Sequence, residues 1–170
     1  MQGEPRKMLE AFLWAGLFCL LPISELRGGL PYALAQGIGL VPAYFFCVFV
    51  NLLVAPLVLL FLNTLHRILL PLRPYRWLFD RLVARTRRRV EGRVRKYGPW
   101  GLVVFVGIPL PITGAYTGAL GAWILGMKPR RAIPAISVGV LVAGIVVALA
   151  YYLVTEVGVE ALRFLFKTVE

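Results

Sequence analysis

Residues 100–127 read WGLVVFVGIPLPITGAYTGALGAWILGM, an apolar segment that Pro-Leu-Pro-Ile-Thr-Gly interrupts at positions 109–114. Basic residues flank both of its ends: Arg95 and Lys96 before it, and Lys128, Arg130 and Arg131 after it. Because positive charge collects on the cytoplasmic face of a membrane, both ends are predicted to lie on that face. An unbroken helix would put its ends on opposite faces. The segment is therefore predicted to be a re-entrant hairpin, since each arm is too short to cross about 30 Å of hydrocarbon.

The composition favours a membrane location for the whole chain. Of its 170 residues, 59% are hydrophobic and only 16% are charged. Average soluble domains are about 45–50% apolar and about 25% charged, and a domain of this size could not bury so much apolar surface in water. We therefore expect a single membrane domain over residues 1–170, with lipid as the solvent of its apolar side chains.

Three further apolar regions complete the predicted topology: another re-entrant hairpin at 8–40, interrupted at 22–31, and two uninterrupted stretches at 41–62 and 133–155. The uninterrupted stretches have 22 and 23 residues, and a transmembrane helix needs about 20. Pro56 is expected to kink the first of them. The predicted fold is an all-α polytopic membrane protein.

An internal repeat relates the two halves, residues 8–62 and 99–155. When residues 21–37 are aligned with 110–126 without gaps, six of 17 positions are identical and a seventh pairs serine with threonine. Each half is predicted to be a re-entrant hairpin followed by a transmembrane helix, and the two hairpins open on opposite sides of the membrane. Inverted repeats whose broken helices meet at the midplane recur among transporters.

The net charge of +11 is concentrated in the predicted cytoplasmic linker at 63–98. From Arg67 to Lys96, ten arginines and one lysine stand against two acidic residues, so this stretch carries +9. Apolar residues recur there at helical intervals, which predicts a basic amphipathic helix on the cytoplasmic leaflet. No nucleic-acid motif accompanies the charge, so nucleic acid is not an expected partner. The expected lipid head-group contacts are Arg81, Arg85, Arg88 and Arg89, and the tail at 156–170 is a weaker amphipathic segment.

Glu25 and Arg27 are the only ionisable residues deep inside an apolar region. A charge at the centre of a bilayer costs at least about 2.5 kcal/mol, and a hairpin can fold without one. One interpretation is a polar site in which Arg27 binds an anionic group and Glu25 binds or relays a proton. Burial favours the neutral form of a carboxyl and a nearby arginine favours its charged form, so the group could titrate. The other is a structural ion pair that pins the two hairpin tips together. The two interpretations are compatible.

The second turn contributes hydroxyl groups rather than charges. The predicted substrate- or proton-binding residues of the two tips are Ser24, Glu25, Arg27, Thr113, Tyr116 and Thr117. The predicted turn backbone is Pro22, Gly28, Gly29, Pro31, Pro109, Pro111, Gly114 and Gly118. Half-helix N-termini that point at a common centre would favour an anion. The glycines are equally expected from close helix packing in lipid.

Enzyme signatures are absent from the sequence, which has no HExxH, GxGxxG or P-loop motif and no histidine or lysine near Ser24 to activate a nucleophile. We therefore expect no catalytic residue, no metal site and no cofactor. Cys19 and Cys47 lie in apolar runs and are expected to be buried apolar side chains. His66 ends an apolar run and is expected at the membrane interface.

Two stretches of the chain, ELRGGLP at 25–31 and PLPITGAYTG at 109–118, resemble the small multidrug export proteins, distant relatives of the DedA/VTT (SNARE-associated) membrane proteins. The resemblance covers nearly the whole chain. It implies paired re-entrant hairpins, the cytoplasmic membrane of a prokaryote and a role in transport. DedA relatives are associated with the flipping of phosphate-bearing lipid carriers and with dependence on the proton-motive force, but the second hairpin of this chain lacks their arginines.

These features predict a small transporter or flippase, coupled to protons, with a polar site between the hairpin tips. Its substrate would be amphipathic or anionic, either drug-like or a phosphate-bearing lipid carrier. The alternative is a non-transporting scaffold whose basic helix organises anionic lipids, although a scaffold has no need of a buried Glu25–Arg27 pair. Membrane lipids are expected partners. A homodimer is also expected, because so few helices leave the broken backbone poorly shielded from lipid.

Overall fold

The computed structural model describes residues 4–109 and 113–157, and no strand occurs within these ranges. Two apolar helical stretches, Leu40–Asn63 and Pro129–Thr155, are long enough to cross a membrane, with 24 and 27 residues. The helices in chain order are α1 (Glu4–Leu20), α2 (Glu25–Ala35), α3 (Leu40–Leu52), α4 (Val54–Asn63), α5 (Leu65–Leu69), α6 (Arg73–Tyr97), α7 (Pro99–Gly107), α8 (Ala115–Ile124) and α9 (Pro129–Tyr152), which continues into a π-helical turn at Leu153–Val157.

The first hairpin, α1 and α2, turns earlier and more tightly than the sequence predicts. Its turn occupies only residues 21–24, so the prediction of an irregular segment through 22–31 is wrong beyond Ser24. Pro22 lies in the turn, whereas Gly28, Gly29 and Pro31 lie inside α2. Residues 25–31 therefore belong to the second arm, which ends at Ala35 rather than at 40.

Gly29 lies inside α2 at a position that has no room for a side chain. A Cβ atom there would lie on the Sγ atom of Cys19 and 2.7 Å from the carbonyl oxygen of Ala15. The backbones of α1 and α2 approach closely at this point, as small residues allow in lipid-facing proteins. Close packing, the alternative expectation for the glycines, thus accounts for this one.

Both predicted spans are helical, with shifted ends. The first is broken at Leu53 into α3 and α4, one turn before Pro56, which lacks the N–H group that would bond four residues back. The sequence predicts a kink at Pro56, and the interruption between α3 and α4 lies close to that residue. The second begins at Pro129 rather than at 133, because a proline at the first helical position costs nothing.

Helix α9 forms the centre of the molecule and packs against α2, α3 and α7. Small residues permit this. A Cβ atom at Gly139 would lie 2.7 Å from the Cβ atom of Val106 on α7, and one at Gly144 would lie 2.8 Å from the ring of Tyr44 on α3. Tyr44 also donates its O–H to the carbonyl oxygen of Leu141 at 3.1 Å. The second apolar helix therefore holds the hairpin helices α2 and α7 in place.

Helix α6 packs on α7 and α8 instead of facing lipid along its whole apolar side. Thr86, Val90 and Val94 are buried, whereas the predicted apolar positions Leu78 and Leu82 are about half exposed. The apolar face of the predicted amphipathic helix is thus partly covered by protein. The tail at 156–170 lies almost entirely outside the described residues.

His66 is buried among aromatic side chains. It is 5% exposed, and its Nδ1 atom lies 2.9 Å from the hydroxyl of Tyr75. Its ring lies 4.1 Å from that of Phe79 and 5.3 Å from that of Trp123, measured between centroids. This aromatic cluster joins α5 to the first half of α6 and to α8.

Aligned positions of the two hairpins share local structure at the ends of α2 and α8. Gly37 and Gly126 have φ angles of +82° and +67°, a conformation that favours glycine. The residue after each glycine donates its backbone N–H to the carbonyl oxygen five residues earlier: Ile38 N to Ala33 O at 3.1 Å and Met127 N to Ala122 O at 2.9 Å. Both helices therefore end in a Schellman-type cap.

Candidate functional site

The carboxylate of Glu25 joins the two hairpins. Glu25 is the first residue of α2 and is 7% exposed. Its Oε2 and Oε1 atoms accept hydrogen bonds from the backbone N–H groups of Ala115 and Tyr116, each at 3.3 Å. These groups belong to the first turn of α8, where no earlier helical carbonyl can accept them, and the helix dipole adds positive partial charge there. A carboxylate thus occupies an anion site at the N-terminus of α8.

The backbone on both sides of this contact has unusual torsion angles. Gly114 has a φ of +155°, and a Cβ atom there would lie on the carboxylate of Glu25. Glu25 itself has a φ of +48°, the one positive value among non-glycine residues in the described part of the chain. For a residue with a side chain, such as Glu25, this conformation costs about 1–3 kcal/mol, and such residues cluster at functional sites.

Arg27 lies beside Glu25 on the same helix. Its Nη2 atom is 3.9 Å from Oε2 of Glu25, and its side chain is 22% exposed. This distance is too long for a hydrogen bond, so the attraction is mainly Coulombic. Both residues belong to α2, so a connection between the two tips requires a bond to the other hairpin. The bond from Glu25 to α8 makes that connection.

The predicted hydroxyl residues lie at the same two tips, where they bond to nearby carbonyl groups. Ser24 donates to Phe18 O at 2.6 Å and Thr113, its aligned counterpart, to Ile108 O at 2.9 Å. Both bonds tie a turn to the end of the preceding helix.

The other two hydroxyls belong to α8. Thr117 donates to Gly114 O at 3.3 Å, within its own turn. The hydroxyl of Tyr116 donates to Leu20 O at 2.5 Å, which fastens α8 to the end of α1. Of the remaining predicted turn residues, Pro109 and Gly114 flank the second turn, Gly118 lies inside α8, and Pro111 lies outside the described residues.

Two contributors to the site were not singled out from the sequence. The first is the backbone N–H of Ala115, which no side-chain pattern reveals. The second is Asn51, 2% exposed, which borders the small gap beside Glu25 and Arg27 and donates from Nδ2 to Cys19 O at 3.0 Å. This bond joins α3 to the end of α1.

Two cavities border residues of the Glu25–α8 contact or their neighbours. One of about 390 Å³ is lined by Arg27, Pro31 and Pro109 with the second half of α9. Another of about 540 Å³ lies between α4, α6 and α8, and Tyr116 and Thr117 belong to its lining. Both cavities are mainly apolar, and Arg27 is the charged residue that borders the first of them.

The predicted head-group residues of α6 are exposed where the structure describes their side chains. Arg81, Arg85 and Arg88 are exposed, and the side chain of Arg89 lies outside the described part. The guanidinium of Arg81 lies 5.4 Å from the ring of Trp77. Within 4–109 and 113–157, no group of three histidine, cysteine or carboxylate side chains could hold a metal ion.

Comparison with known proteins gives one match. The profile of a family described as "Putative small multi-drug export protein" matches residues 25–146, more than two thirds of the chain, including the N-termini of both α2 and α8. No curated protein and no solved structure matches significantly. Together with the two helices of membrane-spanning length, the match identifies a membrane protein. The chain belongs to the family of putative small multi-drug export proteins.

Proposed function

We propose that this protein moves amphipathic or anionic compounds across the membrane through the site between its two hairpin tips. The observation that carries the proposal is the carboxylate of Glu25, buried beside Arg27 and bonded to the N-terminus of α8. Buried charges in membrane segments are costly and mark transport pathways. Family membership supports transport in general.

The carboxylate of Glu25 occupies the place that an anionic substrate would take. When ionised, it holds the N–H groups of Ala115 and Tyr116 and lies near Arg27. Protonation removes its charge and weakens these bonds, since charge-assisted hydrogen bonds are about twice as strong as neutral ones. The donors then become available to an anionic group. Proton binding and substrate binding are thereby linked at one site.

We further propose that the two hairpins are re-entrant and inverted, with the linker on the cytoplasmic face of a prokaryotic inner membrane. Helices α7 and α8 have 9 and 10 residues, which is about 14–15 Å each, or half of a hydrocarbon core. The matched caps at Gly37 and Gly126 support equivalent hairpins. The clustering of basic residues supports the orientation.

Cysteine labelling tests this topology. With Cys19 and Cys47 replaced by alanine, Arg88→Cys and Arg130→Cys are expected to react with a membrane-impermeant maleimide from the same side, because both ends of the second hairpin share one face. Gln36→Cys, at the exposed end of α2, should react only from the other side. Labelling of Arg88→Cys and Arg130→Cys from opposite sides would exclude the second re-entrant hairpin.

Flipping of an NBD-labelled alkyl phosphate in proteoliposomes tests the function. Dithionite reduces only outward-facing NBD groups, so a transporter should make nearly the whole pool reducible, whereas protein-free liposomes should retain the inner half. The exposed arginines of α6 favour the scaffold as a second candidate. A scaffold would leave the reducible fraction at the protein-free level.

We also propose a homodimer. Many apolar side chains of α1, α3 and α9 are exposed, and a partner could cover part of that surface. In lipid nanodiscs we expect a protein mass of twice the 18.9 kDa of one chain. A single-chain mass in both nanodiscs and mild detergent would contradict this proposal.

A further inference from the structure

We propose that the cavity between α4, α6 and α8 binds the apolar tail of an amphipathic anion whose head group contacts Arg85. The inference rests on the proposed function and specifies the substrate class. The cavity has a volume of about 540 Å³, within the range of about 300–1,000 Å³ that is typical of sites for drug-sized ligands. Such sites combine apolar walls with a few placed polar groups.

The lining matches an alkyl or aromatic tail. Helix α4 contributes Val54, Leu57, Val58, Phe61 and Leu62, and among the residues whose side chains are described, none that lines the cavity is charged. The polar groups are hydroxyls, among them those of Thr86 and Thr117. Leu57 is 56% exposed and Leu82 45% exposed, so the cavity is open at these residues. An apolar tail could enter there without crossing a charged surface.

The charge next to this opening selects an anionic head group. Leu78 and Leu82 line the cavity, and Arg85 follows at the next position of the same helical stripe, seven residues after Leu78. Arg85 is exposed and makes no ion pair with any described residue, in contrast to Arg76 and Arg87, which pair with Asp80 and Glu91. A phosphate or carboxylate would meet an available guanidinium there.

The inner end of the cavity leads toward the charged tips. Tyr116 and Thr117 line it, and the backbone N–H of Tyr116 is one of the two donors to Glu25. A ligand whose tail fills the cavity therefore lies within one helical turn of the anion site at α8. This arrangement makes the cavity an entry site for the compound that is transported.

Photolabelling in proteoliposomes tests the inference. The probe is hexadecyl phosphate with a diazirine in the middle of its chain, and the comparison probe is the corresponding alcohol. In the wild type we expect the phosphate to label Leu82 and Leu120, which line the cavity, more strongly than the exposed Leu60 on α4, which reports bulk lipid. Equal labelling of the three leucines would show that the probe does not bind in the cavity.

Variants that fill the cavity sharpen the test. Val58→Trp and, independently, Leu82→Trp should lower the labelling of Leu120 by about fivefold, because the added ring excludes the tail. Leu60→Trp is the matched control and should leave it unchanged. Unchanged labelling in both filled variants would contradict the inference, and the second variant protects the test against misfolding of the first.

The head group and the link to transport need two further comparisons. Arg85→Gln should reduce labelling by the phosphate but not by the alcohol, whereas Arg87→Gln, on the opposite side of α6, should reduce neither. If Arg85→Gln reduced labelling by the phosphate and by the alcohol equally, the proposal of an anionic head group would be wrong.

Glu25→Gln should keep the labelling by the phosphate probe and lose flipping. Suppose that the cavity leucines are labelled no more than Leu60 and that the phosphate and the alcohol respond alike, while flipping still depends on Glu25; only the cavity would then be refuted. If instead Glu25→Gln flips normally and the labelling is intact, only the tip site would be refuted.

Discussion

Glu25→Gln is expected to insert and fold but to lose at least about nine tenths of the flipping activity in proteoliposomes. The amide oxygen can still accept one hydrogen bond from α8, whereas its NH₂ group faces the second donor and cannot accept. Hydrogen bonds to charged groups contribute about 1.5–3 kcal/mol, and about 1.4 kcal/mol corresponds to a factor of ten. The substitution also removes the proton that links Glu25 to the substrate.

Arg27→Gln separates the two charges of the site. Because two backbone N–H groups also hold Glu25, this variant should remain folded, and flipping of an anionic probe should fall while flipping of a neutral alcohol falls less. The double variant Glu25→Gln/Arg27→Gln contains no unpaired charge, so we expect its thermal stability to recover and its activity to stay low. Recovery of both would indicate a purely structural pair.

Glu10→Gln is the matched control for these variants. It removes an exposed carboxylate of α1 that pairs with Arg6 at 3.3 Å, and exposed pairs contribute little. Its flipping rate and its melting temperature should equal those of the wild type. Full activity of Glu25→Gln, in the same preparation, would show that the proton-linked role of Glu25 is wrong.

The long apolar helices could be predicted from the sequence because uninterrupted apolar runs of more than about 20 residues have few alternatives. The turn of the first hairpin could not. Pro31 and Gly29 are typical turn residues, yet both lie inside α2. Gly29 is needed there for the close packing of α2 against Cys19 and Ala15 of α1. The sequence contains no signal for that contact, since the partners are ordinary apolar residues.

The charged side chains of the candidate site could be predicted from the sequence, but the groups that bind the carboxylate could not. Glu25 and Arg27 stand out because charges inside apolar segments are costly. The groups that bind the carboxylate are backbone N–H groups of Ala115 and Tyr116, and every residue except proline has one. Only the fold decides which of them lie at a helix N-terminus that meets Glu25.

Gly114→Ala is expected to abolish flipping and to lower stability. The added Cβ atom would lie on the Glu25 carboxylate and push it away from the N-terminus of α8. The φ of +155° is also strained for alanine, at about 1–3 kcal/mol. Melting temperature in detergent and dithionite-accessible NBD in proteoliposomes measure the two effects.

Gly126→Ala distinguishes strain from contact. Gly126 also has a positive φ, +67°, but a Cβ atom there would have no neighbour within 4 Å. Its substitution should cost about 1–2 kcal/mol, the penalty for a left-handed residue, and leave flipping intact. If Gly126→Ala lost activity as fully as Gly114→Ala, backbone strain rather than the contact with Glu25 would be responsible.

A double-mutant cycle completes the argument for Gly114. In a Glu25→Ala background the carboxylate is absent, so Gly114→Ala should cost only its backbone strain and therefore less stability than in the wild type. The interaction free energy of directly contacting residues is typically about 0.5–3 kcal/mol. Additive losses in the melting temperature would mean that Gly114 and Glu25 do not touch. The anion site at the start of α8 would then lack the close backbone approach on which its chemistry depends.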